Sequence, residues 1–300
     1  METEFWQAIV DAGYAVPEGY TVESLTPELL AGLGSTDPQI RDNLVYDIFS
    51  EWIWREGFFT ADTLREVGHH TARSLSVGLG ETNTDSIFLR SFSALILGKV
   101  IEADNLRRFL SREEVHHWLG ASLAYVTAER DLRGYVPVKG WAHAAAHMAD
   151  LMMYFALNHH VGEVELKRIL EAVACRVTLP SDLTLRYLED ERLAFATVVA
   201  LQRNILDESF TSGWIEGMAQ TWPDRGWVSI CKEPDRNNAY QNARSYLRSL
   251  YFQLLHGIRA PRWYTDGTPF ERTCLIREVV LSQLLSALRH LDPGFFRKES

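Results

Sequence analysis

The sequence predicts an all-α protein, an α-α superhelix (solenoid) of about five helical hairpins, and three observations carry that prediction. Apolar residues recur at helical spacing along nearly the whole chain, as in Leu44, Ile48 and Trp52 or Ile87, Phe88, Phe92, Leu95, Ile96 and Val100. Capping residues and glycines punctuate that pattern at regular intervals. The resulting helices, about 15–20 residues long, pair into segments 37–77, 83–130, 141–176, 184–221 and 238–290, a period near 40–50 residues. One all-α domain over 1–300 is expected, with 1–34 as an N-terminal helical cap and 35–290 as hairpin repeats.

In order, 3–13 forms a short amphipathic helix through Phe5, Trp6, Ile9 and Val10, and a turn follows at Pro17-Glu18-Gly19. Thr26-Pro27-Glu28 reads as an N-cap, a first-turn proline and a first-turn acid. Asp37-Pro38-Gln39-Ile40-Arg41 starts a helix that runs to about Glu56, and this opening resembles that of a HEAT-type (HEAT/ARM-like) repeat. Thr60 opens the next, Gly78 and Gly80 end it, and another starts at Thr82 or Asn83. Ser111 and Glu114 have the spacing of a capping box for a helix to about Arg130. Helices over 141–158, 163–176, 185–206, 208–220, 238–256 and 270–290 complete the chain. Two loops interrupt it, 222–238 with Pro223, Gly226 and Pro234, and 260–269. No run alternates long enough to predict a strand.

Composition narrows the function classes. With 46% hydrophobic and 23% charged residues the chain has the make-up of an ordinary globular protein. The formal net charge of -10 argues against a general nucleic-acid binder, which presents a basic surface. No apolar run approaches the ~18 residues of a membrane span. The acidic start METEFWQAIV has no signal-peptide pattern, and the odd, widely spaced Cys175, Cys231 and Cys274 make neither a disulfide framework nor a zinc finger. A cytoplasmic location is expected. GxSxG, Walker, GxGxxG and CxxC motifs are all missing.

The stretch Asp131–Asp150, DLRGYVPVKGWAHAAAHMAD, stands out as a charged, glycine-bearing turn that runs into a helix. Preceded by Glu129-Arg130, and joined by Phe88-Leu89-Arg90-Ser91-Phe92-Ser93-Ala94-Leu95, Glu189-Asp190-Glu191-Arg192-Leu193-Ala194 and Tyr246-Leu247-Arg248-Ser249-Leu250-Tyr251, it resembles a bacterial family, domain of unknown function 2785 (DUF2785). The resemblance covers most of the chain after about residue 35. It implies a single all-α domain, and it singles out Arg90, Asp131, Arg133, His143, His147, Asp150, Arg192 and Arg248 without implying a catalytic role.

Two chemistries suit these residues. His143, His147 and Asp150, spaced by four and three, share one face of the helix that runs from about Trp141, and two histidines four apart can hold a divalent metal ion. The residues between the histidines are alanines, so a hydrolytic base must come from elsewhere, such as Asp131, Asp190 or Glu191. Histidines bonded to neighbouring helices are the blander alternative, and the alanines also suit close helix packing. Alternatively, Arg90, Arg133, Lys139, Arg192 and Arg248 can gather around a small anionic ligand, helped by Gly134, Gly140 and the start of the 141 helix. A buried network, with Arg133 on Asp131 and Arg192 on Asp190 or Glu191, accounts for the same residues. The tandem pairs His69-His70, His116-His117 and His159-His160 point about 100° apart and do not chelate together, and solvated positions are the default for most of them. Trp52, Trp54, Phe58 and Phe59 read as core, and Trp214, Trp222, Trp227, Trp263 and Tyr264 either cover a groove or form a satellite core under the loops.

The leading expectation is a binding or scaffold protein with a polar pocket for a small anionic ligand or peptide, formed by Arg90, Asp131, Arg133, Lys139, His143, His147, Asp150, Arg192 and Arg248, with neither nucleic acid nor membrane as partner. The alternatives are a metal-dependent hydrolase using His143, His147 and Asp150, and a purely structural interaction module.

Overall fold

The computed structural model describes residues 2–222, 230–261, 264 and 267–296. The chain is all-α and divides into two compact units, Met1–His160 and Val161–Ser300.

The first unit holds α1 (Thr3–Asp11), α2 (Val22–Gly32), a π-helical segment (Gln39–Tyr46) continuing into α3 (Asp47–Trp54), α4 (Ala61–Ser74), α5 (Ser86–Arg107), α6 (Arg112–Ala128) and α7 (Ala144–Leu157). Its caps are mostly those the sequence announces. Asp37 Oδ1 accepts from the Gln39 N–H at 2.9 Å, and Thr60 Oγ1 from Thr63 at 3.1 Å. Ser111 and Glu114 form the expected reciprocal box. The start of α2 differs. Thr21 and Ser24 cap each other's backbone, so the helix begins before Thr26 and carries Pro27 inside it. The Thr26-Pro27 signal is overridden because the Thr21–Ser24 box satisfies the free N–H groups first.

Packing within this unit runs between alternate helices. Helix α5 lies against α3 and α7 in one row, α4 against α6 in a second, and α4–α5 and α6–α7 contacts join the rows. Stacked helical hairpins produce this pattern. Small residues permit it: a Cβ on Gly98 of α5 would stand 2.9 Å from Tyr154 Cδ2 of α7. Ala145, Ala146 and Ala149 are buried on α7. Trp52, Phe59, Phe88 and Trp118 fill the core, whereas Trp54, expected there, is exposed.

One prediction fails in an informative place. The turn before α7 is a small antiparallel hairpin, β1 (Tyr135–Val136) and β2 (Gly140–Trp141), with Tyr135 opposite Trp141 and Val136 opposite Gly140. It continues beyond these residues, since Ala142 N–H bonds to Gly134 O at 2.9 Å and His143 N–H to Arg133 O at 3.0 Å. Helix α7 therefore begins at Ala144, not Trp141, and His143 precedes it with φ 51° and ψ 35°.

The second unit holds α8 (Glu163–Thr178), α9 (Glu189–Leu201), α10 (Glu208–Gln220), α11 (Pro234–His256), a 3-10 turn (Thr268–Phe270) and α12 (Arg277–Leu291). Here α9 lies on α11, and α10 lies on both α8 and α12. Helix α9 starts later than the apolar pattern suggests. Leu188 sits at φ 66°, and the Glu189 carboxylate takes the N–H groups of Arg186 and Tyr187 at 2.9 and 2.6 Å. That local bonding competes with helix before residue 189. Helix α11 starts earlier than expected, with Pro234 in its first turn, and α12 later, at Arg277. Of the loop aromatics, Trp214, Trp222 and Tyr264 are buried, Trp222 edge-on to Tyr240 and Tyr264 edge-on to Phe270. Trp227 and Trp263 lie outside the described residues.

Three acids open α9. Burial places the Asp190 carboxyl against Glu191, and this contact, reinforced by Glu191's own desolvation, lifts the Glu191 pKa from 4.5 to about 7. A carboxyl favoured in its protonated form by folding contributes stability that is complete below its unfolded pKa and is lost as pH rises through the folded one. The melting temperature of the wild-type chain should therefore fall between about pH 5 and about pH 8, and Glu191→Gln should flatten that part of the profile. A slope identical in both proteins, measured by calorimetry, would show that Glu191 is not its source.

Candidate functional site

The residues singled out in the first unit surround the root of the β hairpin. Arg90 of α5 is 0% exposed. Its Nε and Nη2 reach the two oxygens of Glu129 at 2.5 and 3.0 Å, and its Nη1 meets the carbonyls of Val77 and Gly78, both at 2.9 Å, and Ser86 Oγ at 2.7 Å. Glu129, just past α6, also accepts the N–H groups of Arg130 and Asp131 at 2.9 Å. Asp131, also buried, holds the Arg133 guanidinium at 2.6–3.0 Å and the Asn83 N–H at 3.0 Å. This bonding raises the Arg133 pKa above its ordinary value. Arg133 Nη2 donates onward to Thr84 O at 2.7 Å, and Lys139 Nζ bonds to Asp85 at 2.7 and 2.8 Å.

A residue the chemical reasoning passed over completes this clamp. Arg41, fully buried, lies between the rings of Phe88 and Phe92, 4.2 and 4.7 Å from their centroids. It donates to Ser35 O and Lys139 O, both at 2.8 Å, and its Nε lies 2.8 Å from Asp42 Oδ1. In the sequence it read as part of a helix start. The signal available was an arginine two positions beyond a capped turn, too common to single out.

The clamp defines what the charged groups do. Arg90, Arg133 and Lys139, expected to attract an anion, each face an acid of the protein. Arg192 and Arg248 belong to the second unit, where Arg248 and Arg244 converge on the buried Asp292 at 2.6 and 3.2 Å. Arg192 is half-buried on α9. For Arg90 above all, a ligand role is replaced by a buried ion pair, because a guanidinium with no solvent access needs all its bonds from the protein.

The histidines follow a different course. His143 occupies the left-handed position before α7 and stacks on Trp141, centroids 4.8 Å apart at 28°. His147 is buried, and its Nδ1 lies 2.6 Å from Ser91 Oγ, which itself donates to Ala142 O. With the serine hydrogen so directed, the His147 proton sits on Nδ1. Ring contacts form a continuous line: Tyr135–Trp141 at 5.3 Å, His143–His147 at 5.7 Å, Phe92–His147 at 5.3 Å and Tyr46–Phe92 at 6.3 Å. Beyond it, on α5 and α7, Lys99 Nζ lies 2.8 Å from the buried Glu102 and 3.4 Å from Tyr154 OH. Burial raises the pKa of Glu102 and of Tyr46, the latter also feeling the half-buried Asp150. Among the described residues, no three His, Cys, Asp or Glu side chains assemble as a metal-ligand group. His143 lies outside the helix that carries His147 and Asp150, so the three do not share one helical face, although the His143 and His147 rings come within 5.7 Å, centroid to centroid. His116 Nε2 and His160 Nε2, expected in solvent, approach the carbonyls of His160 and Leu110 at 2.8 and 3.1 Å. Among the described residues, no helix is long and apolar enough to cross a membrane.

Fold and site together define a helical-hairpin protein built around a polar clamp that carries an aromatic β hairpin. The chain belongs to the family described as a protein of unknown function (DUF2785), which matches residues 75–252. No curated protein and no solved structure matches it.

Three substitutions test the clamp. Removing one member of a buried ion pair leaves the other charged and unmatched, so Arg90→Met or Glu129→Gln should each lower stability by about 3–5 kcal/mol in denaturant unfolding. The double variant should lose less than the sum, and strict additivity would show that the pair does not act as a unit. At Gly140, φ is +76° and a Cβ would fall 2.8 Å from Pro38 Cβ and 3.1 Å from Arg41 Nη2. Gly140→Ala should therefore destabilise by about 1–3 kcal/mol, read as a lowered unfolding midpoint.

Proposed function

We propose that this protein is a non-catalytic binding module that grips an extended peptide segment with the exposed β hairpin and the charged residues beside it. One observation carries the reading. The hairpin holds large apolar side chains in solvent, Val138 91%, Tyr135 53% and Trp141 39% exposed, on a segment tied to the loop before α5 and to the π-helical segment. Exposed aromatics on an ordered backbone are typical of recognition surfaces, since little freedom remains to be lost on binding. The left-handed His143 beneath them adds to this, because strained polar residues cluster at functional sites.

A peptide suits this surface better than a small anion. The cations nearest the hairpin already face acids, and the surface beside it mixes charge signs, with Asp85 exposed and Arg133 and Lys139 partly so. Mixed polarity beside an aromatic ledge matches a polypeptide carrying apolar and charged side chains alike.

Selection of displayed peptides on the full chain tests this. Trp141→Ala and Tyr135→Ser should weaken a selected peptide by at least tenfold, as loss of an aromatic anchor does, without changing the melting temperature. Leu275→Ser, an exposed site in the second unit, should leave affinity unchanged. If no peptide is enriched, or the selected peptides bind all variants equally, the proposal is wrong.

A further inference from the structure

The second unit contains a cavity that the peptide reading does not use. It measures about 400 Å³, within the size range of small-molecule pockets, roughly 300–1,000 Å³. It lies among the end of α9, the end of α11 and the 270–277 segment. The backbone of that segment is tied to the turn after α9. Gln202 donates from Nε2 to the carbonyls of Phe270 and Arg272 at 3.2 and 2.8 Å. Asn204 Nδ2 donates to Thr273 O at 2.9 Å, and Asn204 Oδ1 accepts the Leu275 N–H at 2.8 Å. Two opposite charges, Glu271 and Arg272, stand side by side on this backbone, both exposed and both on the cavity lining. They do not pair with each other, and among the described residues neither side chain forms an ion pair. Arg272 instead has a like charge near it, the half-buried Arg203, whose pKa is lowered by burial and then by Arg272. Of the other basic groups on the lining, Arg277 is occupied by Leu254 O and Leu255 O, at 2.7 and 2.8 Å, and by Glu278. His256 stacks on Phe252, centroids 6.1 Å apart.

We infer that this cavity binds a free α-amino acid with an apolar side chain, the carboxylate meeting Arg272 and the ammonium meeting Glu271. Charge on the lining selects a zwitterion. A simple anion would meet the Glu271 carboxylate, and a simple cation would meet Arg272 beside Arg203. A neutral compound would leave both charges unmatched. An α-amino acid carries both signs on a single carbon, so two neighbouring side chains suffice to hold it through charge-assisted hydrogen bonds. Because the backbone beneath them is tied down, only side-chain freedom is lost on binding. Val198, Leu254, Ile258 and Phe270 supply apolar surface for the ligand's side chain.

Saturation-transfer NMR on the full chain, with L-leucine, L-methionine and L-phenylalanine at millimolar concentration, tests the assignment. At least one should receive saturation. The N-acetyl and carboxamide derivatives of that amino acid, each lacking one of the two charges, should bind the wild-type chain about tenfold more weakly. Arg272→Ala and Glu271→Ala, both at exposed positions, should weaken the parent amino acid to a similar degree. Trp141→Ala, in the first unit, should leave the signal intact, which separates this site from the peptide surface. No transfer to any of the three amino acids, a derivative that binds as well as its parent, or binding unchanged in either variant overturns the inference.

Discussion

The buried pairing of Arg90 with Glu129 constrains more of the first unit than any other interaction. Both side chains are removed from water, so each must obtain its bonds from the protein or leave a charge uncompensated. Meeting that demand fixes two carbonyls early in the loop after α4, the hydroxyl that opens α5, and the backbone just past α6. Asp131 and Arg133 continue from there, so the hairpin leaves α6 in a direction set by charge satisfaction. Arg41 then holds its far side through the Lys139 carbonyl.

The second unit repeats the device at its own end. Asp292 is buried and accepts from Arg244, Arg248 and the Tyr240 hydroxyl. Burial and the carboxylate together push the Tyr240 pKa up to about 12, so that hydroxyl stays a donor across any physiological pH. In both units, arginine planarity suits the task, because a guanidinium directs several donors at once toward carboxylate and carbonyl oxygens.

These networks change what the charged motif means for function. A run such as ERDLRGY invites a ligand-binding interpretation, yet most of its charge is absorbed in holding backbone. What reaches solvent is the product of that holding, an aromatic ledge with a strained histidine beneath it. Charge builds the platform, and apolar side chains on it meet the outside.

Much of the fold was legible from short-range pattern. Helical spacing, the Thr60 and Ser111 caps and the family motif all act within a few residues, and they correctly marked an all-α chain of hairpin-forming helices. The candidate site was legible only as a set of residues. Arg133 with Asp131 was readable because the partners are two apart, whereas Arg41 and Lys139 are 98 apart and Arg90 and Glu129 are 39 apart. The β hairpin escaped notice because two-residue strands leave no periodicity, and the left-handed His143 because only the surrounding bonds impose it. Sequence alone determined which segments coil and where most are capped, since those energies are local. Tertiary structure decided which charges are sealed together and which side chains remain in water, because desolvation depends on neighbours that the chain brings from far away.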